Sequence, residues 1–265
     1  MTQPIDGEQK NVAQQERLIE VWNATRDALQ KVARDLKITE EELGVAGRFF
    51  NRLGQSGMCP SLLAVCLAMT VIDTRRDGNA GTRQNLEGPF HKAGAPLRSD
   101  GDLLKGDPGP GALVLHLAGR VTDAATGHPL AGAVLDFWQA DHRGTYDNDG
   151  FHLRGIVLSD AEGCYRVRTV VPCDYSEHDG DPVGELFSAM GRHNRRAAHI
   201  HLKVHCDGHV PLTTQIFMPN SEYLDSDYVE GAVSPDLTLS FAPHADSQGQ
   251  AVDSRFDVAL KPAAA

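Results

Sequence analysis

The sequence has no C-x-x-C pair, and its cysteines are odd in number: five, at 59, 66, 164, 173 and 206. That speaks against a closed disulfide framework and a zinc knuckle, and it points to a reducing compartment, the cytoplasm. Basic charge is not in surplus either. Thirty-six acidic residues face 25 basic ones, a formal net charge of -11, which disfavours electrostatic binding of nucleic acid. The opening stretch, MTQPIDGEQKNVAQQERL, holds no apolar segment of the signal-peptide kind. The longest apolar run, SLLAVCLAMTVI at 61–72, is about a dozen residues and too short to span a bilayer, so a buried helix is expected instead. No internal repeat is visible.

What is present changes character along the chain. Residues 1–15 are polar and expected to fray. In RLIEVWNATRDALQKVARDL the apolar residues Leu18, Val21, Trp22, Ala28, Leu29, Val32 and Leu36 recur at helical spacing. Thr39 before Glu40, Glu41 and Glu42 reads as a helix N-cap with an acidic first turn. A third helix is predicted from about Pro60 to Ile72. After Asp73 the chain is rich in Gly, Pro and Asp, and is predicted as loop. From Leu113 onward short alternating segments follow one another: LVLHLAGRV, AVLDFWQ, LRGIVLS, YRVRTVV, HIHLKVH, LTTQIFM, DLTLSFA and RFDVAL. Turn residues separate them, which predicts an all-β sandwich or barrel behind a helical N-terminal part.

Chemistry enters with HIHLKVH. Alternation along a strand puts His199 and His201 on one face, close enough to hold one metal ion. A lone H-x-H is more often surface or core, and the chain has 12 histidines, so the context decides. Arg196 stands three residues before His199; a cation there disfavours imidazole protonation and suits an anionic ligand. Tyr146 and Tyr175 both sit where a predicted strand gives way to a turn. A phenol ligates well only when a strong Lewis acid removes its proton. Two tyrosinates with two histidines form a hard nitrogen and oxygen set, better suited to Fe(III) than to zinc. Taken singly, each of these tyrosines reads as packing or turn filler.

From about Gly111 to Asp227 the chain resembles the intradiol ring-cleavage dioxygenases. The resemblance rests on G-R-V-T-D-A-x-T-G-x-P-L-A-G-A at 119–133, D-F-W-Q-A-D-x-x-G-x-Y at 136–146 and L-R-G at 153–155. It continues in D-A-E-G-x-Y-R-V-R-T-V-V-P at 160–172, G-R-H at 191–193, H-I-H at 199–201 and L-T-T-Q at 212–215. The helical part, with E-G-P-F-H-x-A-G-A-P at 87–96, is similar to the linker domain of the catechol, chlorocatechol and hydroxyquinol members. The resemblance implies a mainly β protein: an antiparallel β-sandwich catalytic domain over 91–265 behind a helical dimerisation domain over 1–90. It implies one non-haem Fe(III) per subunit, with Tyr175 and His201 as axial and Tyr146 and His199 as equatorial ligands. It implies cleavage of a catechol-type 1,2-diol by O2 to a cis,cis-muconate-type diacid, with Arg196 stabilising charge on the ring and Gln215 beside the iron. Leu86, Gly88, Pro89 and Phe90 would line one pocket wall, and Tyr228 and Val229 the other. A homodimer is implied as well, with a phospholipid or fatty acid at its interface.

The chain also departs from the family. Tyr175-Ser176-Glu177-His178 stands where relatives have Y-P-I-P, which puts polar Glu177 and His178 at the edge of the expected pocket. Arg196-Ala197-Ala198-His199 lacks the proline of R-P-A-H. Phe90 points to the hydroxyquinol or chlorocatechol members, whereas Ala64 falls where hydroxyquinol enzymes carry an acidic residue. Hydroxyquinol 1,2-dioxygenase activity, to maleylacetate, is therefore the alternative. A reading from another class is a non-catalytic β-sandwich binding module. It would not need Tyr146, Tyr175, His199, His201, Arg196 and Gln215 together.

Overall fold

The computed structural model describes residues 12–74, 81–245, 247 and 249–263. The chain divides into two compact units, Met1–Ser56 and Gly57–Ala265.

The first unit holds α1 (Val12–Leu36) and α2 (Glu40–Gln55). Helix begins at Val12, inside the stretch expected to fray; residues 1–11 lie outside the described residues. Thr39 caps α2 as its sequence predicts: its side chain accepts from Glu42 N–H while the Glu42 carboxylate accepts from Thr39 N–H. Leu18, Trp22 and Leu29 of α1 stay exposed. Helix α3 (Cys59–Asp73) opens the second unit with Pro60 in its first turn; it buries only Val65 and Met69, and Leu63, Leu67 and Val71 are exposed, so it is not the buried helix its apolar run predicts. Among the described residues no single helix is long and apolar enough to cross a membrane.

The β region forms two main sheets. The first centres on β1 (Val114–Asp123), in which Leu115, Leu117 and Val121 alternate inward. One edge of β1 pairs antiparallel with β4 (Cys164–Val170). Its other edge pairs parallel with β10 (Ala251–Arg255) and then with β11 (Val258–Leu260). The second sheet is antiparallel throughout, in the order β3-β2-β7-β8. It is built from β2 (Val134–Gln139), β3 (Arg154–Leu158), β7 (His199–His205) and β8 (Leu212–Phe217). Phe137 of β2 meets Tyr165 of β4 between the sheets, with ring centroids 5.9 Å apart. Leu135, Leu202 and Val204 are buried beside them, each contributing about 2 kcal/mol of hydrophobic stabilisation. A two-stranded ribbon, β5 (Tyr175–Ser176) with β6 (Arg195–Arg196), stands at one end.

Two segments differ from the sequence reading. DLTLSFA is not a continuous strand: Pro235–Leu237 is a 3-10 turn, Thr238 makes one isolated bridge to Phe217, and Ala242–Pro243 form the short β9. The proline in front of DLT fixes a turn geometry that the alternating pattern hides. Conversely, PVGELFSA forms a helix, α4 (Pro182–Ala189), inside a stretch read as turns. Asp181 caps it by accepting from Val183 N–H and Gly184 N–H, and Pro182 occupies its first turn.

Candidate metal centre

Strand β7 does with its histidines what alternation requires. Ile200, Leu202 and Val204 face the core, so His199 and His201 share the opposite face, where each is about 1% exposed. Trp138 of β2 lies opposite His201 in the ladder and stacks on its imidazole, centroids 4.7 Å apart and planes at 5°. Phe217 of β8 lies opposite His199 and packs against its ring. Neither imidazole is free to swing.

Tyr175 begins β5 and pairs with Arg196 of β6, a ribbon that delivers a phenol and a guanidinium side by side. Tyr146 follows the turn after β2. Asp141 Oδ1 holds that turn by accepting from Arg143 N–H at 2.8 Å and Thr145 N–H at 2.9 Å. Gly144 has φ of 80°, and a Cβ placed there would stand 2.9 Å from Tyr175 Cβ. Glycine is what allows the two tyrosine segments to approach.

The four side chains converge. Tyr146 Oη and Tyr175 Oη are 3.5 Å apart, as are Tyr175 Oη and His199 Nε2. His199 Nε2 and His201 Nε2 are 3.1 Å apart. Donors bound at about 2 Å to one cation at near-tetrahedral or square angles stand about 3 Å from one another, so these spacings fit a shared ion. His199 Nδ1–H donates to Ala197 C=O at 2.6 Å, which leaves the Nε2 lone pair facing the other donors. His201 Nδ1 is buried without a partner. Whichever tautomer His201 adopts, an unsatisfied nitrogen or two facing lone pairs result, and a cation between the imidazoles removes the repulsion.

Electrostatics point the same way. Burial, and then the Arg196 charge, hold His199 well below the usual histidine pKa; burial and His199, followed by Arg196, do the same for His201. Both imidazoles are therefore neutral, as metal ligands must be. Burial raises the Tyr146 and Tyr175 phenols well above their ordinary value. Only a strong Lewis acid would ionise them. Among the described residues no cluster of three His, Cys, Asp or Glu could hold a metal, so this nitrogen and oxygen set is the candidate. It fits a hard ferric ion better than zinc.

The remaining predicted residues fall at different distances. Arg196 is buried, not a solvated loop cation. Its Nε–H donates to Asp227 at 3.0 Å, and its Nη2–H donates to Gln215 Oε1 at 2.7 Å. The Arg196 pKa is raised: burial opposes its charge, but Asp227, Tyr175 and Glu177 outweigh that cost. Gln215 sits opposite His201 in the ladder and donates to Leu86 C=O at 3.0 Å. Gly88, with φ of 70°, faces His201; a Cβ there would stand 3.2 Å from its Cε1. Phe90 stacks on Tyr146 at 4.3 Å. Pro89 is exposed, and Val229 is buried with its N–H on Asp227. Glu177 accepts from both Tyr175 Oη and Tyr228 Oη. His178 stands one step back, paired with Asp181 at 2.6 Å and edge-on to Tyr228.

Comparison with known proteins decides the family. The family model described as "Dioxygenase" matches residues 86–262. The chain is 34% identical to a chlorocatechol 1,2-dioxygenase of Pseudomonas sp. (strain P51), over 90% of this chain and 95% of that protein. It is also 34% identical to a hydroxyquinol 1,2-dioxygenase of Rhizobium sp. (strain MTP-10005), over 88% of this chain and 82% of that protein. Its structure matches that of 3-chlorocatechol 1,2-dioxygenase from Rhodococcus opacus 1CP with a TM-score of 0.86 at 29% identity, covering 94% of this chain and 100% of that one. The chain belongs to the intradiol ring-cleavage dioxygenase family.

In this intradiol dioxygenase three further side chains position the site, and none was singled out from the sequence. Asp227 accepts from Arg196 Nε–H, Ala197 N–H and Val229 N–H. Arg154, buried, donates to Phe90 C=O at 2.6 Å and Asp147 C=O at 3.0 Å, tying the two loops that carry Phe90 and Tyr146. Asp174 accepts from Ala198 N–H at 2.7 Å, fixing the step between Tyr175 and His199. The L-R-G motif already held Arg154 in view. Asp227 carries no local signal of its own.

Proposed function

We propose that this intradiol dioxygenase binds one non-haem Fe(III) through Tyr146, Tyr175, His199 and His201, and cleaves a catechol-type 1,2-diol with O2 to a cis,cis-muconate-type diacid. The diol and O2 together contain the atoms of the diacid, so no external reductant is needed. The observation that carries the reading is the buried quartet of two phenols and two neutral imidazoles, with the His199 lone pair aimed inward by Ala197. Bound there, Fe(III) would supply a Lewis acid that ionises the phenols and activates the diol toward O2.

The chain supplies the rest. Arg196 is held on two sides by Asp227 and Gln215, so its positive charge is fixed beside Tyr175 without reorganisation. It offsets negative charge building on the ring. Phe90 and Trp138 wall the donors with apolar surface, which keeps water off the reacting ring. Gly88, having no side chain, lets its loop approach the His201 ring closely.

Residues 1–90 form the helical dimerisation part and 91–265 the catalytic part. The exposed Leu18, Trp22 and Leu29 of α1 support a homodimer and an apolar guest, phospholipid or fatty acid, at its interface. All five cysteines are unpaired, which supports the cytoplasm. The test is labelled O2 with catechol and iron-loaded protein. Both label atoms are expected in one ring-opened diacid; a product with one label atom, or with cleavage outside the diol, would contradict it.

A further inference from the structure

Two residues after Tyr175 this chain places a carboxylate, Glu177, and the fold turns it inward. Glu177 Oε1 accepts from Tyr175 Oη at 3.0 Å and Oε2 accepts from Tyr228 Oη at 2.6 Å. Tyr228 is 1% exposed, and the rings of Phe187 and His178 pack edge-on against it. The carboxylate is thus anchored beside the proposed iron ligand Tyr175. Among the described residues no lysine, arginine or histidine forms an ion pair with it; Arg196 is engaged by Asp227 and Gln215. A carboxylate has about four acceptor positions; Tyr228 Oη–H fills one, and the one filled by Tyr175 Oη–H opens once that phenol is ionised.

We propose that Glu177, anchored by Tyr228, reads the ring substituent, so that the site prefers a diol bearing a further hydrogen-bond donor, a third hydroxyl, and discriminates against a halogen or a carboxylate at that place. This rests on the ring-cleavage reading above. A third hydroxyl donates to the open acceptor position. An unsubstituted or chlorinated ring leaves that acceptor desolvated and unfilled, and sites built to hydrogen-bond a substrate hydroxyl reject analogues lacking it more strongly than apolar pockets reject a missing methylene. A ring carboxylate at that place meets the like charge of Glu177.

The experiment uses the iron-loaded full chain, Glu177→Gln and Glu177→Ile. It measures kcat/KM for hydroxyquinol, catechol, a chlorocatechol and protocatechuate, and anaerobic binding of the same four by calorimetry. The wild type is expected to favour hydroxyquinol over catechol by about tenfold or more in both readouts, with protocatechuate poorest. Glu177→Ile is expected to bring the hydroxyquinol-to-catechol ratio close to one and to raise chlorocatechol relative to hydroxyquinol. Glu177→Gln keeps the shape and an acceptor oxygen, so it is expected to relieve the discrimination against protocatechuate while keeping part of the hydroxyl preference. It decides the matter if the isoleucine variant fails to fold. A wild-type ratio of one or below overturns the proposal. So does an equal loss on all four diols in both variants, which would make Glu177 a support for Tyr175 and nothing more. If iron-loaded wild type neither binds nor cleaves any diol, the ring-cleavage reading itself falls, an outcome distinct from the other two.

Discussion

His199 and Arg196 are two buried cation-capable side chains with opposite fates. His199 is neutral because burial and Arg196 disfavour its charge, and its Nδ1–H is committed to Ala197 C=O. Arg196 stays charged because Asp227 is there to meet it. Asp227→Ala leaves that guanidinium buried and unpaired, and is expected to cost about 3 kcal/mol of stability in urea unfolding. Arg196→Ala is expected to keep iron while slowing ring cleavage about 100-fold, as loss of one preorganised charge at a reacting centre does; unchanged turnover would contradict its placement. Tyr175→Phe is expected to weaken iron binding and reduce turnover by about 100-fold or more, checked by metal analysis and oxygen uptake on one sample. At this scale the sequence was legible wherever neighbours along the strand share a face, as His199 and His201 do. It was silent on Asp227, which meets Arg196 from 31 residues away, because no local pattern encodes a pairing closed by tertiary folding.

Elements were legible in proportion to how local their causes are. HIHLKVH forms a strand over the residues its alternation marks, and the Thr39 box caps α2 as written. The parallel pairing of β10 and β11 with β1 was not readable, since it joins segments more than a hundred residues apart in sequence and parallel register leaves no turn signature. Helix α4 had a signal that turn-rich surroundings masked: an aspartate cap, a proline in the first turn and an acidic residue, Glu185, behind it. That cap also reaches the site, because Asp181 pairs with His178 and the rings of His178 and Phe187 support Tyr228. Asp181→Ala is expected to cost about 1 kcal/mol, the usual worth of a cap. It is also expected to loosen the 175–181 segment, seen as faster amide exchange there than in β7. Equal exchange in both would contradict the link.

For the whole molecule the account makes folding, metal and protons one balance. The two phenols are protonated without metal, held so first by burial, and the imidazoles are already neutral. Iron loading is therefore expected to release about two protons per ion, and to tighten as pH rises through the neutral range. Loading in weakly buffered solution with a pH indicator measures this, and release of none would mean that the phenols do not ligate. Bound iron is also expected to raise the melting temperature, because it binds only the folded chain. The most direct test of the central claim is the visible spectrum of the purified protein, with iron quantified on the same sample. The account predicts a wine-red absorption from tyrosinate-to-Fe(III) charge transfer, in proportion to bound iron and shifting when a diol is added. A protein that binds iron fully and stays colourless would contradict it, because the tyrosines would then not be ligands.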